Sequence, residues 1–421
     1  MMDRWSEPPV TALRASAGET ELRESAAEVP ARSPSSSDRR TLRRWALGLG
    51  PLLLVGLLVF VFLQTGPAGV FERAFPPVEE LTLQRVTLPA PGSITLRVVN
   101  GGPEPVTIAQ VLVDNAAWRH TIDGPRTIPR LGRRTIEIPY PWVEGDPLEI
   151  TVLTSTGLTF TTQVPVATES PAPDVRYFTT FALLGLYVGV VPVLLGLLWL
   201  PFLRELDPRW LDFFLSLTAG LLVFLGTDAF TEAIASARQV PAAFQGVGLV
   251  VLGILVASLG LSAVGGAKDP DRSRGALRLA LLIAIGIGLH NLAEGLAIGT
   301  SYAAGEIALG TYLVLGFLLH NTTEGLAIVA PVAGERTKIG RIAVLGLIAG
   351  VPTIAGAWLG GFSSSPARTT LFLALGAGAI AQVVYMILRM QHQQGRLTAP
   401  LNAAGFIAGI VLMYATGLFV A

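Results

Sequence analysis

The chain has 421 residues, 51% of them hydrophobic and 14% charged, with a mean hydropathy of +0.57. This composition excludes an ordinary soluble globular protein and points to a chain that crosses a membrane several times. Basic and acidic residues number 30 each, so no net charge draws the chain to nucleic acid, and the absence of cysteine rules out disulfides and thiolate ligands.

Residues 1–44 are rich in Ser, Glu, Arg and Pro, a composition that cannot bury enough apolar surface to fold, and they read as a disordered cytoplasmic tail. The tail ends in Arg39, Arg40, Arg43 and Arg44. Residues 45–64 are then an apolar run long enough to span. A signal peptide is the alternative, but the polar leader is long and the run exceeds the usual signal core. The expectation is an uncleaved anchor with the arginines on the cytoplasmic side.

From residue 71 to 173 the pattern becomes one of short alternating runs. They are Leu81–Val86, Ser93–Val99, Val106–Val111, Thr135–Ile138, Leu148–Val152 and Leu158–Thr162, separated by Gly, Pro, Asn and Asp. Short strands with regular turn signals predict a small extracytoplasmic β-sandwich, immunoglobulin-like in outline only. His120, next to Trp118, reads as an ordinary residue, and no site is expected in this domain.

Apolar runs then continue to the end of the chain. Spans are expected at 178–201, 209–235, 242–264, 276–299, 308–332, 340–361, 367–388 and 401–421. The fold class is therefore a polytopic α-helical membrane protein: an eight-helix core (178–421), an N-terminal anchor and the β domain. With the β domain outside, the inner loops carry Arg204, Arg209, Lys268, Arg272, Arg274, Arg278, Arg336, Lys338, Arg341, Arg389 and Arg396. The short outer loops carry only Arg238 and Arg368. This asymmetry predicts a multi-pass plasma-membrane protein embedded in the lipid bilayer, its N-terminus cytoplasmic and its β domain and C-terminus outside.

One segment of this core occurs twice: His290-Asn291-Leu292-Ala293-Glu294-Gly295-Leu296-Ala297-Ile298 and His320-Asn321-Thr322-Thr323-Glu324-Gly325-Leu326-Ala327-Ile328. Histidine, amide and carboxylate groups are costly inside a bilayer, and such a set marks a functional site. A single His on a helix is more often a satisfied core residue; the same nine-residue frame used twice argues against that reading. At i and i+4, His290 and Glu294 project from one face, as do His320 and Glu324, with Asn291 and Asn321 about 100° round. Both motifs fall near the middle of their spans, on neighbouring antiparallel helices. Facing each other, they would present two imidazoles, two carboxylates and two amide oxygens, a donor set suited to Zn²⁺. Gly286, Gly288, Gly295, Gly299 and Gly325 let these helices approach their neighbours closely.

These motifs resemble those of the ZIP family of divalent metal transporters, in particular its bacterial branch with His-Asn-x-x-Glu-Gly motifs on two helices. The resemblance covers about residues 178–421. It implies transport of a divalent metal toward the cytoplasm, Zn²⁺ first and Fe²⁺, Mn²⁺ or Cd²⁺ as alternatives, by movement of one helix bundle against another. By motif position it implies His290, Asn291, Glu294, His320, Asn321 and Glu324 as metal ligands, often around two ions. It implies no cofactor besides the transported metal and no enzymatic activity, and it leaves the oligomeric state open, a homodimer included.

The chain departs from the family in several places. Ala293 and Thr323 stand where many members have proline, so the motif helices should be less broken. Val351-Pro352 stands where many have a glutamate before proline, so a single tightly held metal is expected. Asp228 and Glu232, an acidic i,i+4 pair, replace a histidine-rich helix end and offer an entrance for cations. The loop at 265–275 lacks histidine, and Gln382 and Tyr385 are the polar groups of the seventh core helix. Two other readings stand beside transport: a membrane-embedded zinc hydrolase, in which the metal would activate water, and a metal sensor signalling through the β domain.

Overall fold

We describe a computed structural model of the chain, covering residues 49–61, 78–265, 272–304, 307–363 and 365–418. The chain divides into two compact units, Met1–Pro76 and Pro77–Ala421. In the first, the described residues form one apolar helix, α1 (Leu49–Val61), within the expected anchor. The expected tail, the start of the β domain at 71–77 and most of the loop at 265–275 lie outside the described residues.

The second unit begins with nine strands: β1 (Leu81–Ala90), β2 (Ser93–Asn100), β3 (Val106–Val113), β4 (Ala116–Trp118), β5 (Thr121–Ile122), β6 (Thr127–Ile128), β7 (Arg133–Ile138), β8 (Leu148–Thr154) and β9 (Thr159–Val164). They form two antiparallel sheets, one ordered β1-β2-β7-β5 and the other β4-β3-β8-β9 with β6 also paired to β3. Alternation drives the arrangement. In β8, Leu148, Ile150 and Val152 are buried and the residues between them are not, as a strand with one face on a core requires. Ile94, Leu96, Val98, Ile108, Val111, Ile136 and Ile138 of both sheets meet these side chains in one core. Turn chemistry supports the register. Gly92 closes the β1–β2 hairpin at φ +85°, and Asp114-Asn115 joins β3 to β4 with both residues at positive φ. The six strands expected from alternation are present; β4, β5 and β6 are too short to show a period.

Asp174 caps the next helix by accepting from the Tyr177 N–H at 2.8 Å. Among the described residues eight segments are then long and apolar enough to cross a membrane, as in a multi-pass membrane protein. The first comprises α2 (Val175–Gly185), a π turn (Leu186–Val190), α3 (Val191–Leu197) and α4 (Leu200–Arg204); the second is α5 (Pro208–Ala237). Then come α6 (Gly246–Gly265), α7 (Arg272–Ala303) and α8 (Ile307–Val329). The sixth span is made of α9 (Ile339–Gly350) and α10 (Pro352–Ser363), and α11 (Pro366–Gln393) and α12 (Pro400–Gly417) complete the set.

Two of the expected spans, 178–201 and 340–361, are interrupted in the structure. Pro192 brings no N–H to the carbonyl of Val188, and the first span widens into the π turn just before it. Pro352 likewise cannot donate to Ile348, and the sixth span breaks between Gly350 and Pro352. By contrast, the motif helices α7 and α8 run unbroken through Ala293 and Thr323.

α7 packs against α8, α9, α10 and α11, and α5 packs against α6, α11 and α12. Glycines set the closest approaches. An added Cβ at Gly295 would collide with the Thr353 carbonyl of α10, and one at Gly356 with the Leu292 carbonyl of α7. Gly196 of α3 and Gly325 of α8 face each other in the same way, against Thr322 and Val193. The β domain is fastened to the helices at two points. Arg85 donates to the Gly361 carbonyl at the end of α10 at 2.8 Å, and Glu80 accepts from the Ala242 N–H between α5 and α6 at 2.8 Å.

Candidate metal centre

The repeated motifs meet. His290, Asn291 and Glu294 on α7 and His320, Asn321 and Glu324 on α8 are all buried, none more than 7% exposed. The two imidazole rings stack with centroids 5.9 Å apart and planes 23° from parallel. Glu294 lies between them: its Oε1 is 3.2 Å from His290 Nε2 and 3.8 Å from His320 Nε2. Glu324 Oε1 is 3.7 Å from His320 Nε2. Donor atoms bound to one tetrahedral Zn²⁺ at ~2.0–2.1 Å stand ~3.3 Å apart, close to these separations. Donor atoms of His290, Glu294 and His320 lie within 4.8 Å of one another, the compact centre of the cluster.

Both asparagine amides point their nitrogens across the helix pair. Asn321 Nδ2 donates to Glu294 Oε2 and Asn291 Nδ2 to Glu324 Oε2, each at 3.1 Å. Each amide also reaches a helix interruption. Asn321 Nδ2 donates to the Val188 carbonyl in the π turn at 2.9 Å, and Asn291 Nδ2 to the Ala349 carbonyl before the α9–α10 break at 3.2 Å. The arrangement is pseudo-twofold: each motif supplies an amide that orients the other motif's carboxylate and ties it to a broken span. Ligand groups held by outer hydrogen bonds in this way keep their geometry and basicity.

The fit to a cation can be tested on the polar atoms left over. His290 Nδ1, His320 Nε2, Glu324 Oε1 and the Oδ1 atoms of Asn291 and Asn321 are buried with no hydrogen-bond partner. Buried polar atoms normally find one. His320 Nε2 and Glu324 Oε1 are the partnerless atoms that face the cluster, 3.7 Å apart, and a dication there would satisfy their lone pairs and offset the two buried carboxylates.

The remaining sequence candidates lie further out. Asp228 and Glu232 are exposed on α5, outside the buried cluster. Val351 is 45% exposed at the α9–α10 break, so it is the Ala349 backbone rather than position 351 that touches the cluster. His120 is half-buried in the β domain, its Nδ1 3.4 Å from the Trp118 carbonyl oxygen, away from the cluster.

The Val188 and Ala349 carbonyls are the participants that motif reading misses. A signal for them exists in the chain: Val191-Pro192-x-x-x-Gly196 and Val351-Pro352-x-x-x-Gly356 share one frame, each just after the carbonyl in question. No protein-family model matches the chain, and no curated protein matches it.

Proposed function

We propose that the chain carries divalent metal ions across a membrane, Zn²⁺ first among them, through the cluster of His290, Glu294, His320 and Glu324. The observation that carries this reading is the cluster itself: two imidazoles and two carboxylates at metal-donor spacing, buried between two unbroken apolar helices. Its dependence on two interrupted spans adds to the argument. Binding sites tied to discontinuous helices suit transporters, because the interruption lets part of a span shift without unwinding the rest. The resemblance of both motifs to the ZIP family points the same way.

In this mechanism Asp228 and Glu232 attract the hydrated cation at the β-domain end of the helices. Glu294, shared between both histidines, takes it first, and His320 and Glu324 complete the shell. Asn291 and Asn321 hold the carboxylates in place and are orienting residues. Release exposes the site toward the end that carries the basic loops, which the charge asymmetry assigns to the cytoplasm.

Metal uptake into sealed proteoliposomes tests the proposal. Zn²⁺ should accumulate with the purified full chain and not in empty vesicles. Failure to accumulate Zn²⁺, Fe²⁺, Mn²⁺ or Cd²⁺ under any ion gradient would overturn it.

A further inference from the structure

The β1–β2 hairpin sets two arginines directly opposite each other. Arg85 and Arg97 are partners in the antiparallel register, and like charges so placed are destabilising. A third arginine joins them: Arg368, in the first turn of α11, where the positive end of the helix adds to its charge rather than offsetting it. Burial, together with the Arg97 and Arg368 charges, holds the Arg85 guanidinium below the ordinary arginine range.

The partners of these groups are neutral. Arg85 Nη2 donates to the Gly361 carbonyl at 2.8 Å and Arg368 Nη2 to the Ser363 hydroxyl at 2.9 Å. Among the described residues no carboxylate pairs with any of the three. The cluster also runs against the charge pattern of the chain, since the short loops at this end of the helices contain only Arg238 and Arg368 as basic residues.

A cavity of about 260 Å³ lies against the arginine pair, lined by Arg85, Thr87, Thr95, Arg97, Ser170 and Phe362 among others. Thr87 and Thr95 form the next same-face pair of the hairpin, because residues two apart on a strand share a face. One face therefore offers the Arg97 guanidinium, the part of the Arg85 fork not bonded to Gly361, and the Thr95 hydroxyl, with the Thr87 hydroxyl turned to the Thr95 carbonyl at 3.5 Å. Arginine forks match the oxygens of a phosphate two at a time.

We propose that this face, carrying Arg85 and Arg97, binds a phosphate group, carried by an anionic phospholipid or by a free phosphate. The anion neutralises a like-charge pair that the hairpin register forces together. Because Arg85 also holds Gly361, it braces the β domain against the end of α10.

The test uses the purified full chain in two arms. In phospholipid-free detergent, inorganic phosphate is titrated against chloride at equal ionic strength, reading thermal stability. In nanodiscs, retention of phosphatidylglycerol over phosphatidylcholine is read by native mass spectrometry. Arg97→Gln is the decisive variant, because Arg97 is exposed and its loss leaves the Arg85–Gly361 bond intact; Arg119→Gln, exposed elsewhere on the β domain, is the control. Arg97→Gln should weaken binding about tenfold, the effect of losing one charge-assisted contact, and Arg119→Gln should not change it. A response to phosphate without lipid preference assigns a free phosphate, and lipid preference without that response assigns the headgroup. Identical behaviour of the unmodified chain and Arg97→Gln in both arms overturns the proposal.

Discussion

Asn321 on α8 donates its amide hydrogen to Glu294 on α7 across 3.1 Å, with both residues buried. The same nitrogen holds the Val188 carbonyl of the π turn. One side chain thus connects a carboxylate of the metal centre to the discontinuity of the first span. Asn291 repeats the connection toward Glu324 and Ala349. Asn321→Ala should leave Glu294 without its orienting donor and Val188 without this partner, at a cost of roughly 1–3 kcal/mol in stability. Metal affinity should fall roughly 10–100-fold, as when outer-shell partners of ligands are removed. Thermal melts and Zn²⁺ titration check this, and unchanged affinity would show that the amide does not position the carboxylate.

Glu324→Ala should abolish metal uptake in proteoliposomes, because it removes an anionic donor from a buried site, and His290→Ala should cost nearly as much. Both proteins should remain folded by size-exclusion chromatography. Wild-type transport by either variant would place the site elsewhere.

Binding should depend on pH in one direction. Imidazole and carboxylate must be free of protons to coordinate a cation, so metal entering the site releases protons. Affinity should therefore be full above the ordinary histidine range, about 6.5, and fall as pH drops below it. Calorimetry in buffers of different ionisation enthalpy would report the released protons. It should also show one metal per chain, and two equally tight ions would contradict the single-site reading.

The helix contacts at the glycines should tolerate no side chain. An added Cβ at Gly325 meets the Val193 carbonyl of α3, so Gly325→Ala must separate α3 from α8 and disturb the motif that Gly325 ends. A loss on the order of 1–3 kcal/mol is expected, with reduced uptake. Gly260→Ala, at a position with open space, should leave thermal stability and uptake unchanged. Equal effects of the two substitutions would rule out the close helix contact.

Orientation can be tested cleanly because the chain has no cysteine. Ser155→Cys, on the exposed surface of the β domain, should react with an impermeant thiol reagent applied to intact cells. Ser273→Cys, next to the basic residues Arg272 and Arg274, should react only after permeabilisation. The opposite pattern would invert the orientation read from the loop charges.

The residues that form the candidate site were legible in the chain because membrane burial makes them conspicuous. A histidine, an amide and a carboxylate, repeated at fixed spacing inside apolar helices, stand out wherever the surroundings are hydrophobic. The span positions and the six longer strands were legible for a similar reason, since each rests on a local hydrophobic period. Tertiary structure alone decided which atoms of Asn291 and Asn321 face the carboxylates, because an amide can offer either its oxygen or its nitrogen and sequence does not orient it. It also decided that the Val188 and Ala349 carbonyls belong to the centre. Those carbonyls are set by helix breaks at Pro192 and Pro352 in segments far from the motifs, and their role exists only once α7 and α8 pack between the two broken spans. The pairing of Arg85 and Arg97 has the same origin: strand register sets them opposite each other, and docking of the β domain on the helix ends turns Arg85 to the Gly361 carbonyl.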